Sequence, residues 1–412
     1  MATSAESAPL APSVRTSRRG VVVAYALVAA ATQMLWLTYA AITTDTAHAY
    51  GVSESTVGWL SEIFPLLYVV LAIPAGVLLD RWFRPVLASG AVLVATGGLI
   101  RLGGLSFGWA LAGQVVVAIA QPIVLSAVGK LAAEYLPVAQ RPTGIAIGSA
   151  GSFVGMLVAV LLGPTLGAHG HLDRLLGVEA ALAAAAAIGL AALLRRPAPA
   201  THPEPAAQAQ VLGGLGPARA LWALAQMRIL CGLVFIGFGV FVALSTWLQV
   251  LLHPDGVSDD TAGALLVAMI LAGVVGCAAL PAVVARRGAE RRYMGAAVAA
   301  SAIGCAALGA LPWIGARGAV LVAIGVVLLP ALPIVLAAAE QLAGTAAAGS
   351  AGAIVWMAGN LGGLVVALIV QVLVHHPLPA FLAMAVVSLL GAPLARRVSA
   401  SKVAGAPAAA GA

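Results

Sequence analysis

GVSESTVGWLSEIFPLLYVVLAIPAGVLLDRWFR, residues 51 to 84, is the stretch that decides the fold. It opens on an acidic polar turn, runs through about one bilayer's thickness of apolar residues, and closes on a charged turn that begins Asp80-Arg81. Its beginning returns later in the chain. GVSESTVGWL at 51–60 is matched by GVSDDTAGAL at 256–265, 205 positions on, with six of the ten letters identical. The pattern is that of a half-chain duplicated on membrane-length segments.

Composition agrees with the reading of that stretch. The 412 residues are 62% hydrophobic and only 8% charged, with a mean hydropathy of +1.06. A soluble domain carries about 25% charged residues, so the solvent this surface suits is lipid. Only helices and closed barrels satisfy their backbone there. Barrel strands alternate apolar and polar residues; this chain has unbroken apolar runs of helical crossing length instead. The expected fold is an all-α membrane protein of twelve transmembrane helices in two pseudo-symmetric six-helix bundles. The spans are read at 21–43, 57–79, 86–106, 108–129, 143–167 and 175–194, then 228–251, 259–285, 293–314, 318–339, 347–374 and 377–395. The organisation that follows is a disordered tail at 1–20, an N-terminal bundle at 21–194, a Pro/Ala linker at 195–227, a C-terminal bundle at 228–395 and a disordered tail at 396–412. Within the linker, Ala218–Met227 is partly apolar and suits the membrane interface.

Basic residues set the orientation. With the N-terminus inside, 18 of the 21 Lys and Arg fall on the inner side; Arg101, Arg174 and Arg317 fall outside. This is a strong positive-inside bias. It places both termini in the cytoplasm, gives a multi-pass protein of an inner or plasma membrane, and accounts for the net charge of +7 without a nucleic-acid partner. Because six is even, the two halves run in parallel, which implies a two-fold axis along the membrane normal and a site between the halves near mid-depth.

Chemistry of other kinds finds no footing in the sequence. Cys231, Cys277 and Cys305 lie inside apolar runs and read as packing residues. All seven histidines fall outside the spans, and the adjacent His375-His376 reads as a solvated pair. There is no metal-ligand spacing, no GxxxxGK[ST] phosphate loop and no nucleophile–base pair. The expectation is no enzyme, no catalytic residue, no metal and no cofactor.

The turn after the second span, Gly76-Val-Leu-Leu-Asp80-Arg81-Trp82-Phe83-Arg84, resembles the signature loop Gly-x-x-x-Asp-Arg-x-Gly-Arg of the major facilitator superfamily. Phe83 stands where the second glycine is usual. The physical reading is a cytoplasmic clasp: Gly76 admits a close neighbour from the other half, and Asp80 meets a helix N-terminus or a basic side chain. Gly76, Asp80, Arg81 and Arg84 are the gating candidates. In the second copy Gly76 maps to Pro281 and Asp80 to Ala285, so only the first-half loop keeps the acid.

Within the superfamily, segments resemble the feline leukaemia virus subgroup C receptor family, whose members carry choline, ethanolamine or related cargo, and also bacterial cyanate-type permeases. The similar stretches are Leu35-Trp36-Leu37-Thr38-Tyr39, Gly113-Gln114, Ala120-Gln121-Pro122, Lys130-Leu131-Ala132-Ala133 and Leu244-Ser245-Thr246. Phe153 stands where the resemblance puts a cargo-contacting glutamine. The resemblance implies a cavity surrounded by the first, fourth, seventh and tenth spans. Its candidate contacts are Gln33, Trp36, Tyr39, Gln121, Phe241, Ser245 and Thr246, with Asn360 split between cargo and a cross-helix hydrogen bond. Gln33, Trp36 and Tyr39 share one helix face by their spacing of three. The pair of small-residue stretches Gly151–Gly155 and Gly359–Gly363 reads as helix packing.

Acids within the spans are functional candidates by default. Glu62 and Glu179, both toward the outer face, are the candidates for proton coupling, and no carboxylate falls at mid-depth. The expected function is transport of a small organic solute by alternating access, as a facilitator or a secondary active carrier, by a monomer in the lipid bilayer. Two alternatives stand beside it. One is a proton-coupled exporter of drugs or metabolites, which the resemblance of Gly163-Pro164-Thr165-Leu166-Gly167 to the antiporter motif of drug exporters would suit. The other is a non-transporting receptor on the same fold.

Overall fold

The computed structural model describes residues 19–167, 170–196 and 215–399. The expected tails, up to residue 18 and from residue 400, and the Pro/Ala stretch 197–214 lie outside the described residues. Every regular element among the described residues is helical. In order they are α1 (Arg19–Leu37), α2 (Thr43–Tyr50), α3 (Glu54–Arg81), α4 (Phe83–Ile100), α5 (Phe107–Tyr135), α6 (Arg141–Leu162), α7 (Leu172–Leu194) and α8 (Gly216–Ala223). Then come α9 (Ala225–Leu252), α10 (Asp259–Arg287), α11 (Glu290–Ala310), α12 (Ile314–Leu328), α13 (Ala331–Val372), α14 (Pro377–Leu389) and α15 (Ala392–Arg396).

The repeated GVS turns have a common physical cause. Gly51 and Gly256 both adopt positive φ (65° and 76°), the left-handed conformation that glycine reaches without a Cβ penalty. Ser53 and Ser258 then cap the next helices: each Oγ accepts from the backbone N–H three residues on, Thr56 at 3.2 Å and Thr261 at 3.3 Å. The letters kept in both copies are thus the ones that stop one helix and start another.

Eleven helical stretches are long and apolar enough to cross a membrane, and one of them, Ile314–Val372, has 59 residues. At the α-helical rise that is about 88 Å, nearly three times a hydrocarbon core of about 30 Å. It divides where Gly344 (φ 65°, ψ 176°) and Ala347 (φ −117°, ψ 16°) leave helical geometry. The two crossings on either side bring the count among the described residues to twelve. Gly344 occupies a region of backbone space essentially closed to side chains. Gly344→Ala is therefore expected to destabilise the protein by about 1–3 kcal/mol, read as a lowered thermal midpoint in detergent.

The first span ends earlier than the sequence suggests, at Leu37 rather than residue 43. Gln114 Nε2 donates to the Leu35 carbonyl (3.1 Å), and the Thr38 Oγ1 lies within 3.3 Å of the Met34 and Leu35 carbonyls. Satisfied this way, the end of α1 needs no further turn. The short α2 completes the connection. In contrast α5 runs past Lys130 to Tyr135, with Lys130 and Glu134 paired at 3.9 Å on one helix face.

Packing repeats across the halves. Helix α1 lies on α6, and α9 lies on α13. A Cβ added at Gly155 would fall 2.0 Å from the Ala30 carbonyl oxygen, and one at Gly362 2.0 Å from that of Phe235. Ala30 and Phe235 are 205 positions apart, the offset of the GVS turns. Sequence comparison pairs Gly155 with Gly363; the contacts pair it with Gly362, an offset of 207. Between halves, α3 and α5 pack on α13, and α6 packs on α10. The short α8 lies against α13, α9 and α3, burying Ala218 and Leu221.

Candidate functional site

The first assembly joins the halves at the end of α3. Asp80 accepts from the backbone N–H of Gly349 (2.8 Å) and Ser350 (2.9 Å) and from the Ser350 hydroxyl (2.5 Å). The two N–H groups belong to the first turn after the break in α13. Such donors have no partner within the helix, and the helix dipole favours a carboxylate there. Gly76 makes the approach feasible: a Cβ on it would sit 2.7 Å from Ala353 Cβ and 2.9 Å from the Gly349 carbonyl oxygen. Arg81 and Arg84 are exposed, with the Arg81 guanidinium 4.4 Å above the Trp82 ring. Phe83 is buried.

The same corner of α13 receives two more bonds from the first half. Lys130 Nζ of α5 donates to the Thr345 carbonyl (2.7 Å), and Arg141 at the start of α6 forms an ion pair with Glu340 (3.0 Å), both side chains nearly buried. Three first-half helices thus converge on residues 340–350.

The candidate cargo contacts divide into groups. Gln33 and Gln121 meet: Gln121 Nε2 donates to Gln33 Oε1 at 2.9 Å, both buried. Trp36 lies in the last turn of α1, half-buried, and its indole N–H donates to the Ser61 carbonyl of α3 (3.0 Å). Tyr39 lies beyond the helix end and is fully buried, its hydroxyl 3.4 Å from that of Tyr50. Phe241 stacks edge-on against Phe153 of α6 (5.8 Å). Ser245 lies about a turn further along α9 and its Oγ is buried without a partner, while Thr246 is exposed. Asn360 donates to the Trp356 carbonyl of its own helix (2.9 Å). Glu62 is exposed on α3.

Glu179 forms a third assembly, toward the end of the first half opposite Asp80. It pairs with Arg101 at 3.0 Å, and both side chains have no solvent exposure. Thr38 bridges them, donating to Glu179 Oε2 (2.7 Å) and accepting from Arg101 Nη1 (3.1 Å). The Arg101 guanidinium lies 5.7 Å from the Tyr39 ring centroid, so Tyr39 faces this corner.

Two clusters that sequence reasoning missed complete the picture. One is the Arg141–Glu340 pair; both residues are visible as charges near inner span ends, but nothing local joins them. The other is an aromatic band made by Tyr68, Trp356, Phe238, Phe241 and Phe153, in contact in that order with centroids 5.6–6.4 Å apart. By helical rise these residues lie about 9–24 Å along their helices from the Asp80 end, within the membrane thickness. Phe153, Phe238 and Phe241 also line an apolar cavity of about 30 Å³ with residues of α9, α11, α12 and α13.

The family model of the Major Facilitator Superfamily matches residues 21–367. The chain belongs to this superfamily. Among curated relatives, this facilitator is 31% identical over 306 residues to "Solute carrier family 49 member A3" of Danio rerio, covering 70% of this chain and 63% of that protein. It is 26% identical over 159 residues to "Choline/ethanolamine transporter FLVCR2" of Homo sapiens, covering 37% and 30%. It therefore matches less than two thirds of the length of these relatives. Among solved structures, the human organic anion transporter MFSD10 superposes with a TM-score of 0.71 at 18% identity, over 93% of this chain and all of that one. The E. coli fucose:proton symporter FucP gives 0.72 at 16%, over 93% and 98%. These structures share its fold.

The facilitator's pseudo-symmetry locates where a second clasp would stand. Asp80 maps to Ala285, and Gly349 maps to Pro142 by the offset that relates Gly155 to Gly362. Ala285 and Pro142 do face one another, lining a cavity of about 10 Å³ with Pro281, Glu290 and Gln341. The acid is gone, and so is the N–H that would match Gly349, since proline has none; Thr143, the counterpart of Ser350, keeps an N–H and a hydroxyl.

Proposed function

We propose that the chain is a transporter that carries a small organic solute across an inner or plasma membrane by alternating access. The observation that carries this reading is the Asp80 clasp, a polar contact between the two halves of a facilitator fold. The positive-inside bias puts the clasp, and both termini, on the cytoplasmic side. In this reading Gly76 and Asp80 close that side while the site opens outward, with Arg81 and Arg84 keeping the turn at the lipid–water surface. The bundles correspond to 21–194 and 228–395, joined by the linker at 195–227.

Cargo is a small amine, primary or quaternary. Relatives named choline/ethanolamine transporters support this, as does a wall of aromatic rings within the membrane thickness. A cation over such a ring gains about 0.5–2 kcal/mol. Gln33, Trp36, Gln121, Phe241 and Ser245 are the proposed contacts of the earlier set. Tyr39 and Glu179 hold the end of α1, and Thr246 and Asn360 are supporting positions. Any ligand that prefers the folded state raises its melting temperature by mass action. In a thermal-shift screen of the purified protein against amines, organic anions, amino acids and drugs, choline and ethanolamine are expected to stabilise it; a preference for anions overturns the amine reading. Glu62 is exposed and Glu179 is locked to Arg101, which favours uniport. Uptake into proteoliposomes is accordingly expected to be the same with and without a pH gradient, and dependence on the gradient would favour the proton-coupled exporter.

A further inference from the structure

Buried tryptophans need a partner for the indole N–H, since nothing in a membrane interior replaces it. Trp36 and Trp247 follow the rule, donating to the Ser61 and Ala367 carbonyls at 3.0 and 3.1 Å. Trp356 does not. It is 2% exposed, and its Nε1 has no hydrogen-bond partner. Its neighbours bond elsewhere: Tyr68 OH is bonded with Ser126 Oγ (3.1 Å), and Asn360 Nδ2 donates to the Trp356 carbonyl. Trp356 also has a special position. Like Phe241 it is a ring of the aromatic band that touches both halves, tilted on Tyr68 of the first (6.4 Å) and edge-on to Phe238 of the second (5.6 Å), and of the two it is the one with a polar group to offer. Halves that separate during transport part at this contact, which is where a cargo must sit.

We propose that Trp356 is the specificity-determining residue of this facilitator, its indole N–H donating to an oxygen of the cargo while the rings of Tyr68 and Phe238 flank the cargo's cationic end. The proposal rests on the amine reading above and adds the requirement of an acceptor oxygen near the cation.

The test uses the purified full chain, with choline and propyltrimethylammonium as probes. The second has a methyl group where choline has its hydroxyl, so shape and charge are kept and the acceptor is lost. The wild type is expected to bind choline about three- to tenfold more tightly, the range of one neutral hydrogen bond. Trp356→Phe keeps an aromatic ring and removes the N–H. It is expected to lower choline affinity to that of propyltrimethylammonium while leaving the latter unchanged. Equal wild-type affinity for the two probes overturns the proposal and leaves the amine reading standing. So does a Trp356→Phe protein that loses both probes equally or neither. Binding of neither probe to the wild type overturns both readings. Equal wild-type affinity overturns the proposal even where the variant fails to fold.

Discussion

Glu179→Leu and Arg101→Met are each expected to lower stability steeply, and the double substitution to recover most of the loss. Both side chains are wholly buried and bonded at 3.0 Å. Removing one leaves the other as an uncompensated charge in a low-dielectric interior, which costs about 3–5 kcal/mol. Removing both takes away attraction and desolvation cost together, and apolar groups of similar volume often do as well. The pair also fixes local geometry. Through Thr38, the residue after α1, it is tied to the end of that helix, and a Cβ on Gly113 would lie 2.4 Å from Arg101 Cγ, so the guanidinium stem is held closely by α5. Chemical or thermal unfolding in detergent reads the cycle. Single substitutions that cost less than about 1 kcal/mol, the range of exposed pairs, would refute the assignment of a structural ion pair.

Asp80→Asn is the second large effect expected, and it falls on conformation rather than folding. The amide keeps the carboxylate's shape but replaces one acceptor oxygen by a donor. That donor would face either the Gly349 N–H or the Ser350 N–H and hydroxyl, groups that need an acceptor. Hydrogen bonds to a charged group are worth about 1.5–3 kcal/mol each, so a loss of roughly 3 kcal/mol is expected in the closed state of this face. That is about a hundredfold in the open–closed equilibrium. Spin-label distances between α3 and α13 should shift toward separation, and uptake kinetics in vesicles should change with them. An unchanged distance distribution with unaltered uptake would sink the gating role. Adding Ala285→Asp is expected to restore closure only in part, because Pro142 has no N–H to offer and only Thr143, the counterpart of Ser350, keeps donors.

Much of this architecture was legible in the sequence because its causes are local. Apolar runs of crossing length reflect the solvent, and the GVS turns reflect two short-range devices, a left-handed glycine and a serine cap. The Gly76–Asp80 spacing is about one helical turn, so a clasp motif reads as a clasp. What stayed hidden depends on helices meeting. Arg101 and Glu179 lie 78 positions apart, and each alone looks like a stray charge near the outer face. Gly344 is one small residue among many in Ala343-Gly344-Thr345-Ala346-Ala347, and composition gives no sign that it turns the chain. The end of α1 was misplaced because Thr38 and Tyr39 are apolar enough to continue a span. The early end leaves Trp36 in the last turn of its helix. Trp356 itself sits in an ordinary apolar run; only its unmade hydrogen bond sets it apart.

The unequal seams of the two halves bear on how such a protein can be tuned. Along α3 and α13 the closing contact is concentrated in a few directional bonds at one helix start, while α6 and α10 meet at Pro142 and Ala285 without a carboxylate to form the same clasp. A seam held by few strong points responds to single substitutions in large steps. A seam held by many weak contacts responds in small ones. Coarse adjustment of the open–closed balance is thus available at Asp80, Gly349 and Ser350, and fine adjustment along α6 and α10. A duplicated scaffold with two equal clasps would have offered only the coarse kind.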